Sequence, residues 1–564
     1  MPARTDGTAS IVLRGGRVLC LNQDNSRATA VAVRGNRVLA VGDDKVVDRL
    51  IGQDSQVFEL EGRTVIPGFN DAHAHMDREG LKLRRLSLAG CRSLADILGR
   101  IRRAAASTPR GEWIVTMPIG QPPHYFDAPR SLAEGRLPNR QELDLAAPDH
   151  PVYIQGVFGN WGKPPGYSIL NSPGLRLNGI DRNTVPSYSG ILIEKDAEGE
   201  PTGIIVETNP RPAVEFDILR AVPRFTFVDR VEGLIDSMRA YNAVGTTSVY
   251  EGHGVSAATL AAYHELWEAN KLTVRASLVL SPAWSGFAEA SRMCRDWLAF
   301  ARGRGLGDRW LSVSGVHIAW GGSHLLAELA RQDLPNTGWS GFVEQATTPS
   351  EFRDYCFLLA ENDLRLNTIV SDQLHQIVPI LEEVAAKHPI AARRWVIQHV
   401  ARSRRADLEK LKSLGVLVTT IPVYFLWKGG HWYLDDPEGG DMIVPHRDLL
   451  DLGIPTAAAT DNIPYDPFFT LWSMRARQER ETGRTIGERQ KINGCEALRM
   501  LTVAGAHLTF EEALKGPLVP GFLADLAVLS ADPSEVPPDD LLAIRTDLTL
   551  VDGKIVHLRD GFGA

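Results

Sequence analysis

The sequence predicts an α/β protein: a (β/α)8 TIM barrel with a small β-sandwich module built from both termini and a large insertion after the first barrel strand. Three observations predict it. Short runs rich in Val, Ile, Thr and Ala alternate with helical stretches through the middle of the chain, both ends have hairpin texture, and residues 77–245 are too many for one βα connection.

The elements follow in order. "SIVLRGGRVLCLN" and "ATAVAVRGNRVLAVG" alternate apolar positions around Gly-Gly and Gly-Asn turns, which reads as hairpins. The same texture returns in "GFLADLAVLSADP" and "RTDLTLVDGKIVHLRD", so residues 1–64 and 515–564 are expected to pair into one module around a barrel of residues 65–514. The expected barrel strands are "TVIPGFNDAHAH", "GTTSVYEGHG", "TVRASLVL", "LSVSGVHIAWGG", "LRLNTIVSD", "RWVIQHV", "GVLVTTIPVY" and "IPTAAATDN". Between the sixth and seventh, "SRRADLEKLKSLG" has helical spacing and a glycine stop. The 77–245 insertion carries a helix-like "SLADILGRIRRAAAS", strand-like "GEWIVTMPIG" and "HPVYIQGVF", and a hairpin, "GILIEKDAEGEPTGIIVE". It reads equally as a wall of a substrate pocket or as a peripheral elaboration.

Composition excludes several functions. A net charge of −8, a pI near 6.0 and no long basic block give no electrostatic support for binding nucleic acid or an anionic membrane. Without a signal-like leader or an apolar run of about 18 residues, the chain reads as cytoplasmic. Five scattered cysteines, never in a CxxC pair, argue against both a disulfide framework and a thiolate metal site.

The polar residues at strand ends carry the functional signal. In "VIPGFNDAHAHMD", His73 and His75 are two apart, so an extended strand would turn both imidazoles to one face, where they would converge on a cation such as Zn2+. Asp71 and Asp77 flank them and are expected to orient the imidazoles or the loop rather than bind metal. Glu251 and His253 in "SVYEGHG" repeat the spacing, and read equally as ligands or as ordinary loop groups. Asp372, His375, His324 and His431 fit better as surface or supporting groups, and "GHWYLDD" and "FGNWGKPP" as aromatic loops that line a pocket or simply pack.

"VIPGFNDAHAH" resembles the first-strand signature of the amidohydrolase superfamily, in its family 3 branch of metal-dependent hydrolases. The resemblance continues through "GEPTGIIVE", "LSVSGVHIAWGGS", "WVIQHV", "AAATDNIPYDPF" and "GPLVPGFLADLAVL". It implies His73 and His75 as metal ligands, Asp461 of "ATDN" as a ligand that also takes a proton from the attacking water, and His399 of "IQHV" as a ligand or oxyanion donor. His317 stands where two-metal members carry a bridging carboxylated lysine, and Asn367 and Thr368 stand near where they carry a fifth-strand histidine. The expected metal set is therefore His73, His75, His317 and Asp461, with Glu251 or His253, holding one or two divalent ions. Zn2+ ranks first for a histidine-rich set, Mn2+ or Fe2+ as the carboxylate share rises.

The activity implied is hydrolysis of a non-peptide carbon–nitrogen bond in a small molecule, such as an N-substituted or cyclic amide. Ester or lactone hydrolysis or a lyase reaction on the same scaffold is the alternative, and a non-catalytic binding protein the third. The resemblance further implies a homodimer or homotetramer.

Overall fold

A computed structural model describes residues 7–121, 123–157, 164–209, 213–332, 342–436 and 440–563. Eight parallel strands run side by side through its centre: β1 (Phe69–Asp71), β2 (Thr246–Val255), β3 (Arg275–Leu280), β4 (Leu311–His317), β5 (Leu366–Ile369), β6 (Val396–Gln398), β7 (Leu417–Thr420) and β8 (Thr456–Ala458). All seven neighbouring pairs are parallel. Helices cover the strands, which explains their unbroken apolar runs: a parallel sheet packed on both faces has no wet side to alternate toward. The helix expected between the sixth and seventh strands is Arg405–Leu414, and Gly415 ends it in the left-handed conformation at φ 66°.

The first apolar run divides. Thr64–Pro67 pairs antiparallel with Leu526–Leu529 in the terminal sheet, and only Phe69–Asp71 joins the central one. The break falls at Gly68, where a β-carbon would lie 2.2 Å from the Thr247 side chain, so no larger residue lets the chain cross there.

Both ends of the chain share one apolar cluster. A four-stranded sheet of N-terminal strands and a six-stranded sheet that mixes N- and C-terminal strands both contribute to it, through Leu13, Val33 and Phe58 of the first and Val65, Leu526 and Leu548 of the second. Arg275 of β3 ties this region to the central sheet. Its guanidinium forks onto Asp525 (2.7 and 3.0 Å), reaches Asp552 (3.1 Å) and donates to the Arg309 carbonyl (3.0 Å).

The insertion builds a fourth sheet, ordered Ile191–Lys195, Pro201–Glu207, Gly166–Leu170, Val152–Ile154, Ile114–Ile119, Leu86–Leu88. Its expected helix is Leu94–Ala105, started by a reciprocal Ser93–Asp96 capping box. Residues 158–163, most of "FGNWGKPP", lie outside the described residues. The insertion leans on the loops after β7 and β8: Arg480 binds Asp127 at 3.0 Å, and the His124 ring meets Trp427 at 5.5 Å. Among the described residues no helix is long and apolar enough to cross a membrane.

Candidate metal centre

β1 stops at Asp71, two residues before the first histidine, because the Asp71 carboxylate replaces the ladder. It accepts the backbone N–H of Thr460 (3.0 Å) and of His73 (3.3 Å), and the Thr460 hydroxyl. Burial pushes this carboxyl up to about 6, with its hydrogen bonds opposing. His73 and His75 thus leave the strand in irregular backbone yet still converge, their ring centroids 5.2 Å apart at 78°. Asp71 orients the loop, as its position in the sequence suggests.

Asp461 follows β8 and faces both imidazoles. Its Oδ1 lies 3.0 Å from His75 Nε2 and 3.9 Å from His73 Nε2. The His399 ring, after β6, packs 4.3 Å from that of His73. Asp461, Asn462 and His399 all have left-handed backbone (φ 52°, 55° and 56°), a conformation that costs on the order of 1 kcal/mol or more per non-glycine residue and concentrates at functional sites. Asn462 takes up part of it by accepting the His75 N–H (2.8 Å) and the Tyr241 hydroxyl (2.7 Å) and donating to Glu79 (3.0 Å).

The electrostatics suit a cation. Burial, then the Arg78 charge, push His75 down to about 3, and burial holds His73 and His399 below their usual range, which favours the neutral imidazole that a cation needs. Burial works to raise the Asp461 carboxyl, but the His75 hydrogen bond and the surrounding imidazoles outweigh it and hold it well below the usual range. The donor atoms of His73, His399 and Asp461 lie within 4.8 Å of one another, as do those of His73, His75 and His253, and those of His75, Asp77 and Glu251. Neither ring nitrogen of fully buried His73 makes a hydrogen bond, nor does His399 Nε2. Buried polar atoms without partners cost about 1–3 kcal/mol each, so the residues present fit a metal ion that would use them.

The other sequence candidates divide. His253, at the end of β2, stacks on Phe342 (3.9 Å, 9°) and on its other side approaches His317 (4.8 Å). His317 belongs to none of the three donor sets among the described residues. Glu251 Oε1 accepts from Met76 N–H (2.8 Å), Asp77 N–H (3.4 Å) and the Tyr263 hydroxyl (2.7 Å), so it anchors the helical turn after His75. Asn367 Oδ1 is taken by the Tyr250 hydroxyl and by Gln398 Nε2, so it braces the floor of the centre. Gly252 passes so close that a β-carbon would stand 2.9 Å from both His73 Nδ1 and Gln398 Nε2.

Asp77, expected to orient the loop, also lies within one of the three donor sets, and sequence reasoning did not single out Tyr263, Phe342 or Asn462. Of these only Asn462 left a signal, because asparagine after "TD" tolerates left-handed backbone.

The amidohydrolase family model matches residues 56–557. The chain belongs to the amidohydrolase family. It is a metal-dependent hydrolase acting on carbon–nitrogen bonds. A similar relative of this amidohydrolase is the N-substituted formamide deformylase of Arthrobacter pascens, 24% identical over 98% of this chain and 99% of that one. Among solved structures, an uncharacterized metal-dependent hydrolase from Pyrococcus furiosus superposes with a TM-score of 0.66 at 21% identity, covering 93% of this chain and 100% of its own. An adenosine deaminase from Xanthomonas campestris with bound zinc superposes at 0.51 with 13% identity, over 99% of this chain and 95% of its own, a likeness of fold.

Proposed function

We propose that this amidohydrolase cleaves a small N-substituted or cyclic amide, with Asp461 as general base. The observation that carries it is the convergence of His73, His399 and Asp461, with buried ring nitrogens for which the described residues offer no hydrogen bond of good geometry. His73, His75, His399 and Asp461 would hold a divalent ion, Zn2+ first for such donors, which when bound would supply an activated water, its pKa lowered from about 15.7 toward about 7, and a Lewis acid for a carbonyl. Asp461, held ionised, takes the proton of that water and returns it to the leaving nitrogen. Asp71 and Asn462 hold the loop that carries the imidazoles.

The amide class rests on the formamide-cleaving relative that matches along nearly the whole chain. Tyr125 and Phe225 of the insertion join Phe342 and Trp427 in one buried cluster beside the centre, which supports the insertion as a wall that excludes water and prefers an apolar N-substituent. We read the eight strands as a closed barrel, because Asp461 N–H reaches the His73 carbonyl (3.1 Å) across its two edges, and the terminal sheets as a sandwich over their shared cluster.

The test is metal content by elemental mass spectrometry, followed by turnover of N-alkyl and N-aryl formamides, lactams and lactones by the Zn2+-loaded protein. About one ion per chain with amide turnover supports the reading. Lactone turnover alone favours the ester or lactone alternative, which gains from the altered fourth and fifth strands. No ion after reconstitution overturns the mechanism and leaves a non-catalytic protein.

A further inference from the structure

Gln398, the last residue of β6, brings a buried amide to the back of the centre. His73 turns Nε2 toward Asp461, 3.9 Å from its Oδ1, which leaves Nδ1, on another edge of the ring, to other neighbours. Those neighbours meet it at Gly252. A β-carbon there would stand 2.9 Å from His73 Nδ1, 2.9 Å from Gln398 Nε2 and 3.1 Å from Gln398 Oε1. The imidazole and the amide therefore share one small space that only a glycine leaves open. Both side chains are 0% exposed, and neither His73 Nδ1 nor Gln398 Oε1 has a hydrogen bond of good geometry among the described residues.

The amide can point only one way. Its nitrogen donates to the Gly252 carbonyl (2.8 Å) and to Asn367 Oδ1 (3.3 Å), and Asn367 Oδ1 also takes the Tyr250 hydroxyl. Turned over, Gln398 would set its oxygen against a backbone carbonyl that cannot donate, and would strand its own N–H groups. The network thus leaves Oε1 as the acceptor that faces His73. The contact opposes the downward pull of burial on that ring, as an acceptor beside an N–H does.

A neutral imidazole has one N–H and one lone pair, and the place of the N–H decides which nitrogen can ligate. With Nδ1 protonated, the lone pair lies on Nε2, on the side of Asp461. With Nε2 protonated, the ring would offer a cation a hydrogen, and His73 would be no ligand. We propose that Gln398 is a positioning residue: its Oε1 accepts the Nδ1–H of His73, holds the tautomer whose Nε2 is free to ligate, and so sets the affinity of the centre for its ion. The inference rests on the metal-centre reading above. It also gives β5 a task there, since Asn367 fixes the amide that fixes the ligand.

The experiment uses the whole chain with isotope-labelled histidine, apo and Zn2+-loaded, beside Q398M, Q398E and H73N. Two quantities are read: which ring nitrogen of His73 carries the proton, by NMR signals that H73N loses, and Zn2+ affinity by chelator competition. In the wild type His73 should carry its proton on Nδ1 both before and after Zn2+ is added. Q398M keeps the side-chain length without an acceptor, so it should lose that preference and bind Zn2+ about 10–100-fold more weakly. Q398E keeps an acceptor and loses both donors, so it should retain the Nδ1–H form and bind Zn2+ nearly as the wild type does.

A His73 protonated at Nε2 in the apo wild type would overturn the proposal, as would wild-type Zn2+ affinity in Q398M. Equal losses in Q398M and Q398E would overturn it too, because a mere brace works through the two donors that both variants lack. If Q398M does not fold, Q398E decides: the Nδ1–H form and the Zn2+ affinity kept together support the assignment, and a loss of about tenfold with the proton moved to Nε2 overturns it. A wild type that binds no Zn2+ refutes the metal reading instead, and its apo spectrum still decides the tautomer.

Discussion

Two buried polar clusters sit at opposite ends of the central strands and differ in one respect. Around Arg275, every strong group is matched: the guanidinium reaches two carboxylates and a carbonyl, and the Asp552 N–H returns to Asp525 at 2.8 Å. Around His73, buried nitrogens lack partners and three residues hold left-handed backbone. The first cluster is complete as folded and joins the terminal sheets to β3. The second becomes complete only with a ligand, so the deficit itself marks the working end of the molecule.

The sharpest way to break this comparison is to remove a donor from each cluster and read activity and stability separately. The H73A/H75A double variant and D461N should each lose about 1000-fold or more in kcat/KM, with metal content falling in the double variant, while circular dichroism stays native; retained metal with retained turnover would sink the centre. Chelation should abolish activity and lower Tm, with recovery on adding Zn2+, because an ion bound only to the folded chain stabilises it by about 2.7 kcal/mol at 100-fold excess over Kd. A chelated protein with an unchanged melting curve would remove the argument from unsatisfied nitrogens.

At the other end, D525N should cost about 3–5 kcal/mol in denaturant unfolding at pH 7 yet leave kcat of the remaining folded enzyme intact, since it removes the forked carboxylate of a buried guanidinium far from the chemistry and leaves only Asp552 to balance its charge. Burial favours the protonated Asp525 carboxyl, but the Arg275 charge and hydrogen bonds overcome it and hold the group below the usual carboxylate range. A depressed folded value means that this stabilisation is full above about pH 4 and is lost as pH falls through the folded value. D525N should therefore flatten part of the acid limb of stability, and an unaltered limb would assign that limb to other carboxylates. The smallest effect should come from Y263F, which leaves Glu251 one donor short: about 1 kcal/mol in stability and a few-fold in Zn2+ affinity, read by unfolding and chelator competition.

The same contrast explains what was legible in the sequence. His73 and His75 were legible from their two-residue spacing where an apolar run stops, and His399 and Asp461 only through the family resemblance; the structure brings the four together at the ends of the central strands. The eight central strands were readable from such runs, and the helix stopped by Gly415 from its spacing. The division of the first run at Gly68 was not, because it depends on the Thr247 side chain, remote in sequence. Nor were the contacts of Glu251: its spacing reads equally as a ligand or a loop group, and only the fold delivers Met76, Asp77 and Tyr263 to its oxygen. Phe342 meets His253 through a contact that no local pattern encodes.

The bond between the His75 N–H and the Asn462 side chain spans 387 residues. On a ribosome adding about 5–20 residues per second, the two histidines are exposed for roughly 20–80 s before asparagine and its neighbour Asp461 exist to meet them. A cation that reaches the nascent chain in that interval finds an incomplete set of donors. The metal site is therefore among the last features to mature, and a transcript cut short before codon 461 yields a protein with histidines but no centre.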